Sequence, residues 1–137
     1  MSTALLQIAI VVRDYDEAIK YYTEKLGFIL EEDTMLSPVK RWVVVRPTAS
    51  DSCRILLAKA QGTEQESRIG NQTGGRVFLF LYTDDFNHAY RSFREKGIEF
   101  VREPVEESWG TVAVFRDLYG NLWDLIERKK PEVMDQV

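Results

Sequence analysis

Histidine and cysteine are nearly missing from this chain: its 137 residues hold one of each, His88 and Cys53. A single cysteine excludes an intrachain disulfide and fits a reducing, cytoplasmic setting. No base stands near Cys53 in sequence, so it reads as a core or strand-end thiol, not a nucleophile. A Ser/His/Asp triad is not expected either, because no nucleophile elbow surrounds any serine. Long apolar runs are also missing; none approaches the ~18–20 residues of a membrane span. Met1 to Ile10 lacks basic residues and a small-residue cleavage pattern, so no signal peptide is expected. There is no excess of basic charge: 18 Lys and Arg stand against 22 Asp and Glu, a net charge of -4. That balance argues against nucleic acid or an anionic membrane as partner.

What is present is a repeat. Gln7 to Tyr22 reads as an apolar strand running into a helix, and Phe78 to Phe93 does the same. Adding 71 carries Gln7 to Phe78, Asp14 to Asp85, Ala18 to Ala89 and Tyr22 to Phe93; a one-residue deletion then carries Gly27 to Gly97. A fixed period of this kind settles architecture before any single element does.

Each copy is read the same way. Leu5 to Val12 is β-branched and apolar, a strand expected to be buried on both faces. Asp14 caps a helix, with Glu17 three residues on. Tyr15, Ala18, Ile19, Tyr22 and Leu26 form one apolar stripe, and Gly27 stops the helix. Strands are expected at Phe28 to Glu32, Arg41 to Arg46 and Arg54 to Ala58. The second half gives strands at Val77 to Tyr82, Ile98 to Val101, Thr111 to Phe115 and Leu122 to Ile126, around a helix capped by Asp85. The expected fold class is α+β: two tandem β-α-β-β-β modules, 5–60 and 76–128, forming a curved mixed sheet around a cavity. Residues 61–75 are a polar connector and 129–137 a charged tail.

Side-chain alternation places Gln7, Ala9 and Val11 on the face away from the helix, with Phe78, Phe80 and Tyr82 as their repeat partners. On the last strand of each module, Asp124 maps to Leu56. Gln7 and Asp124 either hydrogen-bond each other across adjacent strands or meet a ligand, with Asp124, its pKa raised by apolar surroundings, as candidate catalytic base or donor. Arg41, Trp42, Arg76 and Trp109 either rim the cavity, clamping an anionic group and stacking on a ring, or serve the core and surface. His88 is read as a capping or solvent-facing residue. Gly70 to Arg76 is not a phosphate loop, because no Gly-Lys-Ser/Thr follows and a strand, not a helix, comes next. It either folds over the cavity mouth or connects.

Over Leu5 to Arg128 the chain resembles the vicinal oxygen chelate superfamily, which includes glyoxalase I, bleomycin-resistance proteins and extradiol dioxygenases. The resemblance is carried by Val12-Arg13-Asp14, Ala18 to Tyr22, Leu26-Gly27-Phe28, Asp85-Phe86, Gly97 and the closing run Phe115 to Glu127. It implies four metal-ligand positions, which fall on Gln7, Leu56, Phe78 and Asp124. Only Gln7 and Asp124 carry a donor, and a catalytic metal wants about three protein ligands. The resemblance also implies a homodimer with cavities formed where modules meet. The reading is therefore a metal-independent binder of a small apolar or aromatic molecule, through Gln7, Arg41, Trp42, Leu56, Arg76, Phe78, Phe80, Trp109 and Asp124. No cofactor is expected. The alternative is a metal-dependent lyase, isomerase or dioxygenase-like enzyme using a divalent metal on Gln7 and Asp124.

Overall fold

In a computed structural model of the chain, residues 1–130 are described; 131–137, the rest of the charged tail, lie outside the described residues. The order is β1 (Gln7–Val12), α1 (Tyr15–Lys20), a π-helical turn (Tyr21–Lys25), β2 (Ile29–Met35), β3 (Arg41–Arg46), β4 (Arg54–Lys59), α2 (Gly62–Glu66), β5 (Val77–Tyr82), α3 (Phe86–Glu95), β6 (Glu99–Glu107), β7 (Gly110–Arg116) and β8 (Leu122–Arg128). The strands form two four-stranded mixed sheets, ordered β1-β4-β3-β2 and β5-β8-β7-β6. In each, the first and last strands of the module pair in parallel and the others antiparallel. The α+β architecture of two tandem modules is as expected.

The local chemistry repeats with the topology. Asp14 accepts the Glu17 N–H at 2.9 Å, and Asp85 accepts the His88 N–H at 3.1 Å, each satisfying a free amide of a helix's first turn. Gly27 and Gly97 end the helices at φ +73° and +84°, where a side chain would be strained. The π-helical turn presents two successive tyrosines, Tyr21 and Tyr22, to the interior.

The core lies on the helix-covered side of both sheets. Ile10, Val12, Val43, Val45 and Leu57 fill it under α1, and Ala113, Phe115 and Leu125 under α3, all fully buried. Trp123 joins the two halves: it stacks on Phe115 at 5.7 Å and meets Phe28 at 5.9 Å and Tyr22 at 6.1 Å. The modules thus share one core through their helix sides, and the sheets do not close around an interior within the chain. This corrects the expectation that β1 is buried on both faces. Its helix side is covered, but Gln7 and Ala9 are exposed. Five strands, β2, β4, β6, β7 and β8, also run beyond their expected ends. β6 continues through Pro104, which an edge strand tolerates because it need not donate to a ladder. The connector, expected to be a loop, carries α2. Among the described residues no helix is long and apolar enough to cross a membrane.

Candidate functional site

The candidate site is the pair of sheet faces that the helices leave open. On the first sheet, Gln7 lies beside Arg54 and Ala9 beside Leu56, which is also paired with Val44. Trp42 belongs to the same face by alternation and is half-buried. On the second sheet, Asp124 lies between Phe80 and Val114. Burial among these apolar neighbours raises the Asp124 pKa, and the charge of Arg102 partly offsets the rise. Arg102 is brought opposite Val114 by register shifts in β6, a strand extension that Pro104 concealed in the sequence.

Gln7 and Asp124 stand on different sheets, so the hydrogen bond between adjacent strands is not formed. Phe78 departs from the alternation as well. Val77 pairs with Leu122 and Leu79 with Trp123, leaving Phe78 as the extra residue of a bulge, and it packs against the core. The four ligand positions therefore offer one amide on one sheet and one carboxylate on the other. Among the described residues no three His, Cys, Asp or Glu side chains group to hold a metal ion. This donor set does not fit a metal centre, which needs about three ligands from N, S or carboxylate groups.

The remaining candidates are dispersed. Arg41 lies on the helix side, ion-paired with Asp33 at 2.7 Å and Asp16 at 2.8 Å, with its guanidinium over the Tyr15 ring. It does not rim the open face. Trp109 is half exposed at the β6–β7 turn, where its carbonyl accepts the Lys129 N–H at 2.9 Å. Arg76 is exposed and borders, with Arg116 and Asn121, a small pocket of about 140 Å³. His88 is exposed in the first turn of α3.

The connector has a structural function that the sequence did not show. Gln72 lays its amide along the free edge of β1, accepting the Val11 N–H at 2.6 Å and donating to the Ala9 carbonyl at 3.4 Å. Its own N–H reaches the Asn121 side chain at 3.4 Å. Gly70 packs against the Tyr119 carbonyl so closely that any Cβ there would collide with it. The connector is thus pinned between β1 and the β7–β8 turn. That turn is built on Asp117, a buried carboxylate. Its Oδ1 accepts the N–H groups of Tyr119, Gly120 and Asn121. Its Oδ2 accepts Tyr22 Oη at 2.7 Å and Trp123 Nε1 at 3.1 Å. Burial and the neighbouring Asp117 carboxylate push the Tyr22 pKa well up, so it stays a donor.

Two parallel-paired modules with these caps, turns and open faces match one known family. The family model of the Glyoxalase/Bleomycin resistance protein/Dioxygenase superfamily covers residues 4–125. The chain belongs to this superfamily. Among its relatives, an uncharacterized protein of Shewanella frigidimarina (strain NCIMB 400) is 56% identical over 128 residues, 93% of this chain and 95% of the relative. The uncharacterized protein YurT of Bacillus subtilis (strain 168) is 32% identical over 123 residues, 88% of this chain and 95% of its own. The crystal structure of UcmS2 superposes with a TM-score of 0.78 at 33% identity, covering 92% of this chain and 98% of its own. TnmS3, an antibiotic binding protein from Streptomyces sp. CB03234, superposes with a TM-score of 0.74 at 26% identity, covering 93% of this chain and 98% of its own.

Proposed function

We propose that this superfamily member is a metal-independent binding protein for a small apolar or aromatic molecule, working as a homodimer in the cytoplasm. The observation that carries the reading is the open, largely apolar face on each sheet, with a lone polar group among the ligand positions of each. Phe80 and Tyr82 on the second sheet are 56% and 52% exposed, which a protein of this size has reason to cover. A second copy bringing its first sheet over this face would enclose Trp42, Leu56, Phe80 and Asp124 in one apolar space. A planar ligand there would stack on Trp42 and Phe80 and hydrogen-bond to Asp124 or Gln7. Asp124 would pair with a cationic group, and the chain's acidic balance suits such a ligand. The likeness to an antibiotic binding protein at 26% identity supports a ligand of drug size. The unpaired Cys53 suits a reducing compartment.

The direct test is metal analysis of protein purified without chelator. The reading predicts far less than one equivalent of any divalent metal per chain. A stoichiometric metal that disappears in Asp124→Ala contradicts it and favours a metal-dependent enzyme.

A further inference from the structure

The cavity expected on the open faces, lined by Ala9, Leu56, Phe78, Phe80 and Leu122, is not the one the chain itself forms. A cleft of about 600 Å³ lies on the other side of the sheets, between the two modules, and shares only Phe80 with that set. Ile8 and Ile55 of the first sheet face Leu79, Leu81 and Trp123 of the second across it.

The repeat shows why the space is there. Ala18 and Ala89 occupy equivalent helix positions, yet Ala18 is fully buried while Ala89 is only partly covered and lines the cleft. Contacts of α3 with its sheet centre on β8, and Leu79 and Leu81 of β5, although turned toward the core, stay only half-buried. Leu79 and Leu81 of β5 and Ala89 of α3 thus lack a full partner.

The wall opposite is held in place. Pro47, Thr48, Ala49, Ser52 and Cys53 of the β3–β4 loop line the cleft, and two arginines bind carbonyls of that loop. Arg46 Nη1 donates to the carbonyls of Pro47 at 3.0 Å and Thr48 at 3.2 Å. Arg54 Nη1 donates to those of Ser50 at 3.2 Å and Ser52 at 2.8 Å. Glu31 accepts from both guanidiniums, fixing them in turn. A loop fastened at five carbonyls, that of Ala49 included, does not collapse into the space beside it.

The cleft's chemistry is narrow. None of its lining residues carries an acidic or basic side chain, and Thr48, Ser52, Cys53, Tyr82 and Thr83 provide its polar atoms. Its volume lies in the ~300–1,000 Å³ range of small-molecule pockets, and apolar walls hold water poorly. We propose that this intermodule cleft, which meets the open face of the second sheet only at Phe80 and Tyr82, is a second binding site for a neutral compound bearing an aromatic ring or a short acyl chain.

Cys53 supplies a reporter, since it is the chain's one thiol and lines the cleft. The probe is N-phenyl-1-naphthylamine, neutral and fluorescent in apolar surroundings, titrated into the full chain. The expected result is saturable uptake of one probe per chain. The same titration slows Cys53 modification by 4,4′-dithiodipyridine along the same curve. Ala89→Phe, which fills the cleft from α3, weakens uptake at least tenfold and removes the Cys53 protection, whereas Glu103→Gln on the exposed edge of β6 leaves both unchanged. Uptake retained at full strength in Ala89→Phe overturns the proposal, as does the lack of saturable uptake or an unchanged Cys53 modification rate during it. If Ala89→Phe does not fold, thiol protection in the unaltered chain decides: slowing supports the cleft, and an unchanged rate overturns it. The metal analysis above does not bear on this outcome, so either proposal can fail alone.

Discussion

Two aspartates in the second module have opposite environments. Asp117 is 5% exposed and accepts from backbone and side chains of its own module and from the Tyr22 hydroxyl of the first, so both of its oxygens are fully engaged. Asp117→Ala removes that acceptor and strands the Tyr22 hydroxyl and the Trp123 indole N–H in the core. It is expected to lower unfolding stability by about 3–5 kcal/mol in urea denaturation, as loss of a buried charged partner does. Asp124 is instead disfavoured as an anion by its surroundings, with its pKa raised above the ordinary carboxylate value. The folded state then binds more protons than the unfolded state between the two pKa values. Stability from this group is therefore present at acid pH and falls as pH rises through that window. Asp124→Asn cannot titrate, so its melting temperature relative to the parent chain should be higher at pH 7 than at pH 3. An equal difference at both pH values would remove the case for a raised carboxyl. The sequence singled out Asp124 through the repeat, whereas Asp117 stood only within the closing run that carries the family resemblance. It did not show that Asp117 reaches Tyr22, because that partner is 95 residues away and brought near only by the shared core. Residue type alone leaves Arg41 open between the cavity rim and the surface; its acidic neighbours Asp16 and Asp33 come from two other elements.

At the scale of elements, each sheet begins with an edge strand, and β1 is sealed by a glutamine side chain instead of another strand. Gln72→Ala should lower stability by about 1–2 kcal/mol, the cost of leaving a backbone donor without its partner. Amide exchange at Val11 should speed up markedly while Ile10 and Val12, which point the other way along the edge, change less. Unchanged exchange at Val11 would show that the amide is satisfied by solvent and that the connector does not hold the edge. The helices, their aspartate caps and their glycine stops were legible in the sequence because each is a local device repeated at a fixed offset. Strand ends were not. The strand expected at Ile98 to Val101 continues to Glu107, and its edge position is what lets it run through Pro104. The bulge at Phe78 was equally hidden, since alternation carries no mark of an extra residue until a partner strand fixes the register.

For the whole molecule, the repeat foretold two modules sharing one core but not which sides would meet. Helix-covered faces of Val, Ile and aromatic residues join them, and the opposite faces stay open. Those open faces hold three of the four positions where the family resemblance places metal ligands, Gln7, Leu56 and Asp124, and the residues there offer too few donors for one. The account therefore rests on ligand capture by paired open faces without metal. The measurement that tests it most directly is a titration with doxorubicin, a planar aromatic antibiotic carrying an amine, in excess EDTA. Tryptophan fluorescence and sedimentation are read together. The account predicts saturable quenching with two ligands per dimer, and a loss of both quenching and dimer in Leu56→Glu. Binding that appears only when a divalent metal is restored, or that persists unchanged in a Leu56→Glu monomer, would contradict it.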